Sequence, residues 1–235
     1  MHPVRWSEPI GKARRSAKWK AWRAVEGQHV VSTLRLTGND PSKQDLLERI
    51  LEEHKPPLPA DTRGLHYLLA TPFRYPPSRY GSRFRAWPDP GVIYGALERR
   101  TACAEMGYWR WRFAKDSAGL DGIPAAAQTV FRFGVSGEGI DLDAPPLDEW
   151  RTLWTNPTSY ADTQALGREA RSLGLQCIVY RSVRDPLPGV CYAVLDAKAL
   201  RPKQPLEQET WYLTIHRDGA IWQRERERFA FEFAA

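Results

Sequence analysis

The stretch that decides the reading runs Thr71-Pro-Phe-Arg-Tyr-Pro-Pro-Ser-Arg-Tyr-Gly-Ser-Arg-Phe-Arg85 and resumes at Gly91-Val-Ile-Tyr-Gly-Ala-Leu-Glu-Arg-Arg-Thr-Ala-Cys-Ala-Glu105. Its first half is so rich in Pro, Gly, Arg and Tyr that regular structure throughout is excluded. The second half reads as a short buried strand, Val92–Leu97, and a helix from Glu98 to Lys115 built mostly of good helix formers. Arg83, Tyr94 and Glu105 fall 11 residues apart and then 11 again, one in each of these three settings. Arg83 stands in the loop beside Gly81, where a planar guanidinium can grip a phosphate or diphosphate bidentately. Tyr94 is on the strand, where its ring can stack on a flat ligand while its hydroxyl keeps a polar contact. Glu105 sits among Ala102, Cys103, Ala104 and Met106, small and apolar neighbours beside which a carboxylate is either misplaced by this helix reading or held in a pocket for a purpose.

Outward from this stretch the pattern is that of an α+β domain. Trp22–Thr33 reads as a first strand, and Asp40-Pro41 as an N-cap with proline at the first helical position. The helix it opens carries Leu46, Leu47, Ile50 and Leu51 on one face and ends near His54. A strand is expected at about Thr129–Val135, a helix at about Tyr160–Leu173 with Gly174 as its stop, and strands at Cys177–Tyr180, Val190–Leu195 and Trp211–His216. Ile221–Phe233 fits either an alternating strand or a helix. Gly134-Val-Ser-Gly-Glu-Gly139 superficially resembles a phosphate loop but lacks the lysine, and reads as an ordinary turn.

With 235 residues, 42% hydrophobic and 26% charged, the chain can bury a core without staples. No apolar run approaches the roughly 20 residues that span a bilayer, so no membrane partner is expected. The net charge is +6. Seven basic residues (Arg5, Lys12, Arg14, Arg15, Lys18, Lys20, Arg23) against Glu8 and Glu26 place most of that excess in residues 1–28, so residues 1–20 read as a basic extension ahead of a domain over 21–235. Cys103, Cys177 and Cys191 are widely spaced, odd in number and without C-x-x-C, which points to reduced core thiols and a cytoplasmic protein. The five histidines show no metal-ligand spacing, and no metal is expected. Tyr108-Trp-Arg-Trp-Arg-Phe113 and the basic N-terminus keep an alternative open, a nucleic-acid-binding module. On a helix, however, Trp109 and Trp111 point apart and make no single platform.

Taken together, these motifs resemble the RES family, the toxins of RES–Xre toxin–antitoxin modules. Gly81-Ser-Arg-Phe84 resembles the family's Gly-Gly-Arg-Trp, Val92-Ile-Tyr94 its strand, and Ala102-Cys-Ala-Glu105 its Ala-x-x-Glu helix. Thr163-Gln-Ala-Leu-Gly167 and Ile178-Val-Tyr-Arg-Ser-Val-Arg184 follow in the family's order. The resemblance runs from about Trp22 to Leu195. The chain departs from the pattern by inserting a helix and proline-rich loop before Gly81 and by lacking an asparagine after Phe84. The resemblance implies a fold similar to mono-ADP-ribosyltransferase toxins, a central mixed sheet with flanking helices. It also implies NAD as substrate, an Xre-like antitoxin as partner, and water, phosphate or a protein as acceptor of ADP-ribose. By the same resemblance Glu105 is the carboxylate at the reacting ribose, and Arg83, with Arg74 or Arg23 as the early family arginine, holds phosphate. Tyr94 and Tyr75 would orient the nicotinamide ribose, and Ser182 would supply a hydrogen bond near the ligand.

Overall fold

The computed structural model describes residues 6–27, 37–38 and 40–234. Eight strands form one mixed sheet, β1 (Arg15–Glu26), β2 (Ile93–Ala96), β3 (Ile123–Asp141), β4 (Cys177–Arg181), β5 (Val190–Val194), β6 (Glu207–His216), β7 (Gly219–Arg224) and β8 (Glu227–Glu232), in the order β1-β2-β5-β4-β3-β6-β7-β8. All pairings are antiparallel except β3 with β4. Because β1 also pairs with β3 along its full length, the pairings run from β1 through β2, β5, β4 and β3 back to β1. Among the described residues six helices flank the sheet: α1 (Ser7–Ala13), α2 (Pro41–Glu53), α3 (Tyr67–Arg74), α4 (Arg99–Asp116), the single turn α5 (Arg151–Trp154) and α6 (Ala161–Ser172). This is the expected α+β architecture.

Strand alternation sorts the core into two faces. On one, Ile93, Phe131, Phe133, Cys177, Val179, Tyr192 and Val194 pack beneath α3. On the other, Tyr94, Val130, Ile178, Tyr180, Cys191 and Ala193 meet α4 and α6. The three cysteines are unpaired and buried. The Asp40 cap is present, its carboxylate accepting from the amides of Ser42 (3.0 Å) and Lys43 (3.2 Å). Gly174 ends α6 in the left-handed region at φ 73°. The apolar face of α2 stays largely open, with Leu46, Ile50 and Leu51 all exposed.

Several expectations are corrected. The first strand begins at Arg15 and ends at Glu26; residues 28–33 of the expected strand lie outside the described residues. Residue 20 lies within β1. Trp6 and Ile10 are buried beside the sheet, and Arg14 and Arg15 pair with Glu138 and Asp141 across β3. Gly134–Gly139 is not a turn but the continuation of β3. Its glycines serve close approach, since a Cβ at Gly134 would lie 2.1 Å from the Arg201 carbonyl and one at Gly139 2.6 Å from that of Cys177. The unassigned stretch Ile221–Phe233 is strand, most of it the hairpin β7–β8. Tyr67–Arg74 is helical despite Pro72. Among the described residues no helix is long and apolar enough to cross a membrane.

Candidate active site

The face of the sheet that meets α4 opens into a cavity of about 470 Å³. Period-2 alternation aims Tyr94 of β2, Tyr180 of β4 and Cys191 of β5 at it, and the first turns of α4 bring Glu105 down against them. Arg23 of β1 and Arg83 of the preceding loop complete the inner wall; Trp109, Tyr160 and Arg184 stand further along it. Of the residues expected from sequence, Arg83, Tyr94, Glu105 and Arg23 thus line one cavity, and Ser182 touches it through Glu105. Arg74 and Tyr75 do not line it. Arg74 donates to the Pro56 carbonyl (2.5 Å) and pairs with Glu52 (2.7 Å), and Tyr75 is exposed, its carbonyl taken by Arg85 (2.6 Å). Geometrically, Arg23 rather than Arg74 keeps company with Arg83.

The loop is shaped by Gly81. It sits at φ 70°, and a Cβ there would lie 2.2 Å from the Arg85 carbonyl, so only glycine lets the 82–85 turn close, with the Ser82 amide donating to that carbonyl at 2.7 Å. The turn buries Arg83, whose Nη1 donates to the carbonyls of Trp154 (2.8 Å) and Asn156 (3.2 Å) and whose guanidinium lies 4.7 Å from the Tyr160 ring centroid. Tyr94 has a second task beyond the ligand contact expected of it. Its hydroxyl accepts from the Phe84 amide (3.0 Å) and shares a hydrogen bond with Ser82 (2.8 Å), tying the loop to the sheet. The Tyr94 carbonyl in turn accepts from Arg23 Nη1 at 2.8 Å.

Glu105 accepts a 2.5 Å hydrogen bond from Ser182 Oγ and lies 3.8 Å from Cys191 Sγ. Burial pushes its carboxyl above the usual carboxylate range, opposed by the Ser182 hydrogen bond and the charges of Arg83 and Arg184. Ser182 Oγ also accepts from the amides of Arg184 (3.2 Å) and Asp185 (3.0 Å), so one hydroxyl fixes both the carboxylate and the loop after β4. Burial pulls Arg23 down to about 10, and its enclosed Nε has no partner. Burial and Glu105 hold the Cys191 thiol well above its usual value, which removes it as a nucleophile at neutral pH. Three guanidiniums facing one carboxylate leave the cavity positive, suited to an anion of two or more charges.

Arg184 is also part of the cavity wall. Its guanidinium lies 3.9 Å from the Tyr108 ring centroid and donates to the Pro157 carbonyl and the Tyr160 hydroxyl. Trp109 and Trp111 do point apart, as helical spacing requires. Trp111 is buried, its Nε1 donating to the Arg217 carbonyl (3.0 Å), while Trp109 is exposed in the cavity. Trp109 was findable from sequence, four residues after Glu105 on the same helical face. Tyr160 and Arg184 come from separate elements and carry no local signal. Among the described residues no group of three or more His, Cys, Asp or Glu is arranged to hold a metal.

No curated protein matches the chain. Its fold is similar to a chain in the crystal structure of the M. tuberculosis MbcT–MbcA toxin–antitoxin complex, with a TM-score of 0.50 and 13% identity over 85% of this chain and 87% of that one. The RES domain profile matches residues 58–216, a span that contains Arg83, Tyr94, Glu105 and Ser182 and leaves Arg23 outside. With that match covering more than half its length, the chain belongs to the RES domain family.

Proposed function

We propose that this protein is the toxin of a toxin–antitoxin module and that it consumes NAD at the Glu105 cavity. The observation that carries the reading is one buried carboxylate, oriented by Ser182, in a pocket whose other charged lining residues are Arg23, Arg83 and Arg184. That is the polarity needed for a substrate with an anionic diphosphate and a reacting ribose that turns cationic. Departure of nicotinamide takes the C1′–N1 electron pair, so the ring leaves neutral and the positive charge passes to the ribose. The Glu105 carboxylate stabilises that oxocarbenium-like centre, as carboxylates do in glycoside cleavage. Arg83 and Arg23 hold the diphosphate. Water then adds and releases a proton to give ADP-ribose, phosphate adds to give its 1″-phosphate, or a protein nucleophile takes the ADP-ribosyl group. Membership of the RES family and the likeness of fold to a toxin–antitoxin complex support the toxin role. By the same analogy the partner is an Xre-like antitoxin and the setting the cytoplasm.

The nucleic-acid alternative draws less support. Lys12, Arg14 and Arg15 are already paired with Glu8, Glu138 and Asp141, and Trp111 is buried.

The test is incubation of purified protein with NAD, with and without inorganic phosphate, with chromatography of the products, followed by labelled NAD in a cell extract to detect a modified protein. NAD loss or label transfer that disappears in Glu105→Gln, together with loss of toxicity, is the expected result. Unchanged NAD and no label transfer in all arms, or full toxicity of Glu105→Gln, overturns the reading.

A further inference from the structure

Trp109 is 51% exposed although it lines the cavity. It is held in place without being buried. The Tyr108 ring packs edge-on at 5.3 Å, and the Arg184 guanidinium lies 5.5 Å from the Trp109 centroid. Arg184 is itself restrained by Tyr160 and by Ser182. The next residue, Asp185, anchors the loop to α4, its carboxylate accepting from Thr101 Oγ1 (2.8 Å) and pairing with Arg100. Trp109 therefore presents a rigid, flat and half-exposed aromatic face to the cavity, beside the rings of Trp22, Tyr94, Tyr160 and Tyr180 that also line it.

We propose that Trp109, steadied by Arg184, is the stacking surface for the nicotinamide ring, and so a residue that sets specificity for the base being expelled. The inference rests on reading the cavity as the NAD site. Four residues of helix place Trp109 about 6 Å along the axis from Glu105, the carboxylate assigned to the reacting ribose. The base attached to that ribose is nicotinamide, whereas adenine lies beyond the diphosphate held by Arg23 and Arg83. The oxidised nicotinamide ring is a flat cation, and indole is the aromatic face that attracts cations most strongly. Arg184 covers Tyr108 more closely than Trp109, at 3.9 Å against 5.5 Å, which leaves indole surface for the ligand. Once the ring leaves neutral, that attraction is lost and release is favoured.

The experiment is calorimetric titration of the inactive Glu105→Gln chain with NAD and with ADP-ribose, which has every part of NAD except nicotinamide, before and after adding Trp109→Ala or Trp109→Phe. The expected result is an about tenfold loss of NAD affinity in Trp109→Ala, the scale of one stacked base, with Trp109→Phe close to the parent and ADP-ribose unaffected by either. Equal losses for both ligands, or none for NAD, overturn the assignment of Trp109 while leaving the NAD site standing. If the Glu105→Gln chain with Trp109 intact binds neither ligand, the NAD reading falls and this inference with it.

Discussion

Replacing Arg23 by methionine should make the protein more stable and, at the same time, blind to its ligand. Among the described residues the guanidinium donates one hydrogen bond, to the Tyr94 carbonyl at 2.8 Å, and its enclosed Nε has no partner. Burial pulls it down to about 10, more than two units below the usual guanidinium range. At 1.36 kcal/mol per pH unit, holding the charge costs roughly 3 kcal/mol. A base with a lowered pKa is destabilised in its charged form, so this cost is present throughout the range below pH 10 and is relieved only as the group deprotonates above it. Methionine keeps most of the length, removes the charge and forfeits the charge-assisted bond to Tyr94, about 2 kcal/mol. The net gain is about 1 kcal/mol, or about 2 to 4 °C in Tm for a chain of this size. Scanning calorimetry at pH 7.5, with and without ADP-ribose, reads both effects. The parent should gain several degrees with the ligand and Arg23→Met little or nothing, because the anion that offsets the buried charge no longer has its partner. A variant that melts below the parent, or one that ADP-ribose stabilises as much as the parent, would refute the argument that the charge is kept for a bound anion.

Because burial raises the Glu105 carboxyl and Ser182 pulls it back down, NAD consumption should fail on acidification at a pH above the usual carboxylate range. Ser182→Ala should move that limb further toward neutral; a pH–rate profile with an unchanged midpoint would contradict the link. Gly81→Ala should destabilise the chain by about 2 kcal/mol or more through its positive φ and the clash with the Arg85 carbonyl, measurable in urea unfolding, and should lower activity by releasing the turn that carries Arg83. Arg74→Ala removes a largely buried guanidinium that donates to the Pro56 carbonyl and pairs with the exposed Glu52, so it should cost about 2 kcal/mol yet leave NAD turnover within twofold of the parent, whereas Arg83→Ala abolishes it. Loss of turnover in Arg74→Ala would return Arg74 to the site.

Local physics was enough to read much of the chain. Asp40-Pro41 and Gly174 mark helix ends because capping and positive φ are properties of a few consecutive residues. The strand at Tyr94 follows from a short apolar run and the helix at Glu105 from a run of good helix formers. The Arg83, Tyr94 and Glu105 motifs, in order, carried the family. Where a signal was local but ambiguous, long-range packing overrode it. Glycines 134–139 look like a turn in isolation, yet they are strand because neighbouring backbone from Arg201 and Cys177 comes too close for any Cβ. Arg14 and Arg15 look like a solvated basic run until β3 supplies Glu138 and Asp141.

Sequence alone thus determined the α+β class, most of the elements and three of the residues that line the cavity, Arg83, Tyr94 and Glu105. The choice of Arg23 over Arg74 as cavity residue, the double duty of Ser182, and the recruitment of Trp109, Tyr160 and Arg184 were decided only by tertiary structure. The reason is that each depends on which faces of β1, β4 and α4 the sheet register brings together, and register is fixed by pairings between residues far apart in the chain.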